Sequence, residues 1–217
     1  MNIIIFGPPG AGKGTQSNKI SKNYNLFKVS TGDLLRDEIK NKTDLGKKIN
    51  EAMNNGSLVS DSIINNLIEN LMSKENYSNR LIFDGYPRTI NQAKNLELSL
   101  SKFNQKISCV IKLKIDKDTI VKRILGRVLC SKCGLIFNEF FKVPDNNHKC
   151  DSRFLQKRSD DTKTTIENRY ETYVRETKPI VDFYKDKNFL YEINGKNEIS
   201  SIYDEISRII GGLKGWL

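Results

Sequence analysis

Apolar residues recur along this chain in two rhythms. Ile3-Ile4-Ile5-Phe6, Leu26-Phe27-Lys28-Val29, Leu81-Ile82-Phe83, Cys109 to Ile115 and Leu190-Tyr191-Glu192-Ile193 have the length and composition of strands. In the fourth run Cys109, Ile111, Leu113 and Ile115 alternate with Val110, Lys112 and Lys114, which predicts one wetter face. Between these runs the apolar period lengthens to that of a helix. Ile63, Ile64, Leu67, Ile68, Leu71 and Met72 share a face of a helix starting near Asp61. Ala93, Leu96 and Leu100 mark another, and Ile120, Val121, Ile124 and Leu125 a further stripe. Ile166, Tyr170, Tyr173 and Val174 predict a helix bent at Pro179, and Ile199, Ile202, Ile206 and Ile209 close the chain. Ser30-Thr31 is a cap signal for a helix over Gly32 to Arg36. Gly46 to Ser60 reads as a polar, mobile connection. The alternation predicts an α/β fold: a five-stranded parallel sheet with helices on both faces. Residues 126–160 break the rhythm and read as an inserted loop or small β-subdomain.

The first strand runs into Gly7-Pro8-Pro9-Gly10-Ala11-Gly12-Lys13-Gly14-Thr15, and a helix follows. This is the order a phosphate-binding P-loop requires. Glycines let the backbone curl so that successive N–H groups point at phosphate oxygens. The helix N-terminus adds orphan donors and its positive dipole end. Lys13 adds a mobile charge for the terminal phosphates. Position 14 is Gly where Ser or Thr is usual, and the hydroxyl comes one residue later, at Thr15.

The 217 residues carry a formal charge of +10, which suits nucleic acid, an anionic membrane or polyphosphate as partner. The P-loop favours the last. No apolar run approaches ~18 residues, so no membrane span is expected, and nothing at the N-terminus reads as a signal peptide. Four cysteines in a chain of this length do not make a disulfide framework, and a reducing cytoplasm is the simpler setting.

Asp84 follows a buried strand directly, the place where a P-loop enzyme holds Mg2+. Arg36, Arg88, Arg123, Arg127, Arg158 and Arg169 fall at element ends and beside motifs. Arg123 and Arg127 are four apart, which predicts a shared helix face. Fork-shaped guanidinium groups suit phosphoryl transfer, whose catalysis is positioning plus neutralisation of charge.

Gly7 to Thr15, Ser30-Thr31-Gly32-Asp33-Leu34-Leu35-Arg36, Asp84-Gly85-Tyr86-Pro87-Arg88 with Gln92, and Arg158-Ser159-Asp160-Asp161 together resemble the adenylate kinase family, in its long-lid, bacterial-type branch. The matching stretches reach from residue 3 to about 196. The resemblance implies a reversible, Mg2+-dependent reaction, ATP + AMP = 2 ADP, in a cytoplasmic monomer that binds neither nucleic acid nor membrane. It implies a core P-loop domain over 1–29, 60–125 and 161–217, an NMP-binding subdomain over 30–59 and a lid over 126–160. Gly10, Ala11, Gly12, Lys13, Gly14 and Thr15 would cradle the ATP phosphates, with Arg123, Arg127, Phe137 and Lys196 on the ATP side. Thr31, Gly32, Arg36, Leu58, Val59, Gly85, Arg88 and Gln92 would line the AMP pocket. Lys13, Arg88, Arg123, Arg158 and Arg169 would surround the transferred phosphoryl group, and Asp84 would order Mg2+ through water. Asp160 and Asp161 would form the lid hinge and fix arginines. The Gly14 departure is shared by the family pattern.

Cys130-x-x-Cys133 followed by Cys150 has the form of three ligands of a structural Zn2+. Relatives with a lid continue as Cys-x-x-Cys or Cys-x-x-Asp, whereas Arg153 stands at that place here and the segment to Arg158 is shorter. His148 and Asp151 are the candidates for a fourth ligand, and each is expected to crowd Cys150. Cys109 reads as a buried strand residue.

Three functions compete. An adenylate kinase is the first. A kinase of other base specificity, GTP:AMP or UMP/CMP, is the second, and the long insertion argues against the short-lid pyrimidine kinases. The third is a non-enzymatic basic zinc ribbon binding nucleic acid, which needs basic residues interleaved with exposed aromatics. Here lysines are spread throughout and the arginines fall on the phosphate-site motifs.

Overall fold

The computed structural model describes residues 1–41, 44–145 and 148–213. Residues 42–43, 146–147 and 214–217, parts of the stretches expected as NMP subdomain, lid and closing core, lie outside the described residues. From the N-terminus run β1 (Asn2–Phe6), α1 (Lys13–Asn23), β2 (Phe27–Ser30), α2 (Thr31–Lys40), α3 (Asp44–Asn54), α4 (Asp61–Met72), β3 (Leu81–Asp84), α5 (Ile90–Lys102) and β4 (Ile107–Lys114). Then come α6 (Lys117–Leu125), β5 (Arg127–Cys130), β6 (Ile136–Asn138), β7 (Leu155–Gln156), α7 (Lys163–Thr172), α8 (Lys178–Lys185), β8 (Leu190–Asn194) and α9 (Ile199–Gly212).

Five strands form a parallel sheet in the order β2-β3-β1-β4-β8. Successive strand residues point to opposite faces, and both faces are covered. Ile4 and Phe6 join Phe83 and Val110 in a core with α4, α5 and α8. Ile3 and Ile5 join Ile82, Cys109 and Ile111 in a second core with α9. Each fully buried isoleucine contributes roughly 1.5–3 kcal/mol by leaving water. Val110 is fully buried, so β4 has no wetter face along its length; only Lys112 and Lys114, near its C-terminal end, leave the core. As the most central partner of β1, it is sealed on both sides.

Three further expectations are corrected. Gly46 to Ser60 is not a mobile connection throughout: α3 covers most of it, with Gly46, Ile49 and Met53 buried on one face. Arg123 and Arg127 do not share a helix face, because α6 stops at Leu125, Gly126 caps it, and Arg127 opens β5. The helix of residues 163–185 is interrupted not at Pro179 itself but by a wide π turn over Tyr173–Thr177, after which Pro179 sits in the first turn of α8. Residues 126–160 contain a three-stranded antiparallel sheet, β6-β5-β7.

Candidate active site

The register Ile5↔Asp84 brings the end of β3 beside the strand that feeds the glycine loop. Gly12 then caps α1 with φ +93°, a left-handed conformation that suits glycine. Lys13 folds back over the loop, its Nζ donating to the carbonyls of Gly7 (2.7 Å) and Pro8 (2.9 Å). Burial pulls its ammonium down to about 8, against the attraction of Asp84. The Asp84 carboxyl is pushed up by burial, opposed by Lys13 and by Lys28, whose Nζ lies 3.9 Å away.

Above the loop is a cavity of about 620 Å³, the size of a small-molecule site. Gly10 to Thr15, Gly32, Arg36, Leu58, Val59, Asp84, Gly85, Arg88, Arg123, Arg127, Phe137, Arg158, Arg169 and Lys196 all line it. Thr31 and Gln92 stand behind its wall. Thr31 Oγ1 donates to the Gly85 carbonyl (2.9 Å). Gln92 accepts from the Arg88 backbone N–H (2.7 Å) and donates to Asp61 (2.7 Å), so both ends of its amide are engaged.

The arginines are held one by one. Arg127 makes a two-pronged pair with Asp161, its Nε donating at 2.8 Å. Arg169 pairs with Asp160, whose carboxyl burial pushes up but Arg169 and its neighbours pull below the usual range. Arg123 donates to the Gly195 carbonyl (2.8 Å), and Arg88 Nε to that of Gly85 (2.7 Å). Arg36 is 2.5 Å from Asp33, which Arg36 and Lys28 hold at about 2 although burial works the other way. Arg158 is held least: its Nη2 is 3.9 Å from Asp33, and its buried Nε has no hydrogen-bond partner among the described residues. Burial, then repulsion from Arg169, brings Arg88 down to about 10; burial, then Arg127, does the same to Arg158. Such a cluster calls for a polyanion.

Gly56 fixes the turn after α3. It has φ +71°, and a Cβ there would meet the Thr165 carbonyl at 3.1 Å and the Arg169 amide at 3.2 Å. Thr165 Oγ1 also donates to the Asn54 carbonyl (2.9 Å). The turn after α3 is thereby seated on α7, the helix that carries Arg169.

Lys28, Asp33, Asp61 and Phe141 were missed as site residues by sequence reasoning. Asp33 lies inside the Ser-Thr-Gly-Asp run, and its position one helical turn before Arg36 was the available signal. Phe141 sits 5.7 Å from the Arg123 guanidinium and lines the cavity, but nothing local marks it.

Beside the three-stranded sheet, the ligand atoms of Cys130, Cys133, His148 and Cys150 lie within 4.8 Å of one another. His148 does not crowd Cys150 out; it joins it. Residues two apart in extended chain can face the same way. Cys133 Sγ is 3.6 Å from His148 Nε2. A tetrahedron with zinc–sulfur bonds of about 2.3 Å and zinc–nitrogen bonds of about 2.0 Å has an S···N edge of about 3.5 Å.

A strand–P-loop–helix core, an acidic strand end and a ring of arginines in one cavity define a P-loop nucleoside monophosphate kinase, a phosphotransferase. The family model for adenylate kinase matches residues 5–189. The chain is 48% identical over 211 residues to an adenylate kinase of Pelagibacter ubique, covering 97% of this chain and 99% of that one. It is 39% identical over 212 residues to one of Listeria innocua (97% and 99% covered) and 37% identical over 216 residues to one of Archaeoglobus fulgidus (99% and 100% covered). The chain belongs to the adenylate kinase family.

Proposed function

We propose that this chain catalyses reversible transfer of the γ-phosphoryl group of ATP to AMP, giving two ADP, with the cavity residues in the following roles. A phosphate oxygen of AMP attacks Pγ in line as the bond to the β–γ bridging oxygen breaks, and ADP leaves with that electron pair. Lys13 and the amides of residues 10–15 hold the ATP phosphates. Arg123, Arg127, Phe137 and Lys196 complete the donor side. Arg36 and Arg88 grip the AMP phosphate, with Leu58 and Val59 against its base, and Gln92 and Thr31 orient the Arg88 turn from behind. Arg158 and Arg169 neutralise the charge on the group in flight. The observation that carries this reading is the convergence of Lys13, Asp84 and six arginines on a single cavity.

Asp84 and Thr15 fit a hard cation: an acidic oxygen and a hydroxyl beside the loop, among positive groups. They would hold Mg2+, Asp84 through water. A bound ion would supply positive charge that offsets that of the phosphates. Stretches 30–59 and 126–160 act as acceptor and lid subdomains that close and exclude water, with Asp160 and Asp161 at the hinge. The Arg158–Asp33 approach across the cavity supports that arrangement. Four cysteines with no disulfide among them suit a reducing compartment such as the cytoplasm. Among the described residues no helix is long and apolar enough to cross a membrane.

A coupled assay across NMP and NTP pairs tests the reading. AMP is expected to exceed UMP and CMP in kcat/KM by about a hundredfold or more; comparable values would replace it with a kinase of other base specificity.

Titration supplies a second test. Lys13 has its pKa lowered from 10.5 to about 8, so above pH 8 the free site loses a proton that bound polyphosphate requires. ATP affinity is expected to fall as pH rises beyond 8, by up to about tenfold per unit until the bound-state pKa is reached. Calorimetry at pH 9 in buffers of different ionisation enthalpy should show proton uptake on binding; no uptake would refute the Lys13–phosphate contact.

The lid cluster fits Zn2+, with thiolates as soft ligands and His148 as the fourth donor. The ion would tie together a small sheet that lacks a core of its own. Elemental analysis is expected to give one zinc per chain. Cys130→Ser should lower the melting temperature by more than 5 °C (about 2 kcal/mol or more) while kcat at saturating ATP and 25 °C changes less than about threefold.

A further inference from the structure

The lid cluster and the nucleotide cavity share one side-chain contact. Phe137 lies on β6, paired with Val128 of β5; it is 4% exposed and still forms part of the cavity wall. Its ring meets the His148 imidazole with centroids 4.7 Å apart at 65°, an edge contact. The same imidazole places Nε2 at 3.6 Å from Cys133 Sγ, inside the Cys130–Cys133–His148–Cys150 group. One ring therefore meets the thiols through a nitrogen and packs against a residue of the cavity wall. An imidazole turns about two side-chain torsions; bonding its nitrogen to a metal fixes both. Whatever fixes that ring also fixes the partner of Phe137.

We propose that His148 is a positioning residue through which metal held by the three thiols sets the orientation of Phe137, so that occupancy of the lid cluster governs affinity for the donor nucleotide and not for AMP. The inference rests on the reading that the donor base lies against Phe137 and that the cluster binds Zn2+. No sequence signal marks the link: Phe137 and His148 are eleven residues apart and meet only because β6 turns the phenyl ring toward the thiols. An edge contact between aromatic rings amounts to about a threefold to tenfold change in an equilibrium constant.

The test is calorimetric titration of the full chain with an ATP analogue whose γ-phosphoryl cannot be transferred and, separately, with AMP. Zinc content is measured on every sample. Chelation of the wild-type chain should weaken the ATP analogue about threefold to tenfold and leave AMP unchanged. Phe137→Leu should bind the analogue more weakly and equally with and without zinc. His148→Cys supplies four thiolates, so it should keep one zinc and its fold while losing the ring contact; analogue affinity should match that of the chelated chain. That variant keeps the proposal falsifiable should the chelated chain unfold. Zinc well below one equivalent in the wild type would overturn the metal reading and the coupling with it. Full zinc with analogue affinity indifferent to chelation, or wild-type affinity in His148→Cys, would overturn the coupling alone. A chelation effect persisting in Phe137→Leu would also overturn it, since the metal would then act through the lid at large.

Discussion

Lys13→Met is expected to lower kcat about a thousandfold while leaving the melting temperature unchanged or higher. The two parts have separate causes. In the proposed reaction Nζ would leave the Gly7 and Pro8 carbonyls for the terminal phosphates, above a loop shaped by Gly12 in the left-handed region and α1 beginning at residue 13. Removing the ammonium should leave that loop standing and take away the charge that moves with the transferred group. The ammonium is also an unfavourable guest: burial lowers its pKa to about 8, so at pH 7 its charge is held against a desolvation cost. Methionine fills similar volume without that cost. A coupled ADP-formation assay with thermal unfolding on the same sample checks both. A well-folded variant with turnover within tenfold of wild type would remove Lys13 from the reaction.

Arg158→Lys should lower kcat about a hundredfold, with the KM for either nucleotide changing much less. Of the six cavity arginines, Arg158 is the least committed to protein partners among the described residues. Asp33 is 3.9 Å away, its buried Nε has no hydrogen-bond partner among the described residues, and Arg127 and Arg36 repel it. Such a group makes its best contacts only when a trigonal, negatively charged phosphoryl group stands in front of it. Lysine keeps the charge but offers one point in place of a planar fork. Steady-state kinetics decide: an equal rise in KM with kcat intact would make Arg158 a binding residue, and near-wild-type kcat would make it a surface charge.

The sheet and the phosphate loop were legible because their signals are local. Ile3-Ile4-Ile5-Phe6 is apolar on both faces, as a central parallel strand must be, and glycines with a lysine follow it. The site's acidic strand end was legible for the same reason. What escaped the sequence depended on tertiary placement. Lys112 and Lys114 suggested a wet face, although Val110 on that same face is buried and only the C-terminal end of β4 leaves the core. Four-residue spacing put Arg123 and Arg127 on one helix, but Gly126 ended it between them. The stripe of Ile49 and Met53 in α3 was short and lay among polar residues, so the helix passed for a connection. His148 was judged by its closeness to Cys150 in the chain, whereas the fold brings Cys130 and Cys133 to meet both. Gln92 is expected in contact with AMP from the motif alone; that its amide also braces the turn that carries Arg88 depends on the fold.

The crowding of cationic groups around the cavity reaches beyond catalysis. Burial first, and then repulsion from neighbouring arginines, lowers the pKa values of Lys13, Arg88 and Arg158, which means the folded chain holds charges together that the unfolded chain keeps apart. Every polyphosphate that enters relieves part of that repulsion and binds the folded form alone. A nucleotide at a hundred times its Kd adds about 2.7 kcal/mol to folding, a large share of what a domain of this size possesses. The lifetime of the enzyme is thereby expected to follow the nucleotide concentration around it, with proteolysis faster when nucleotide is scarce.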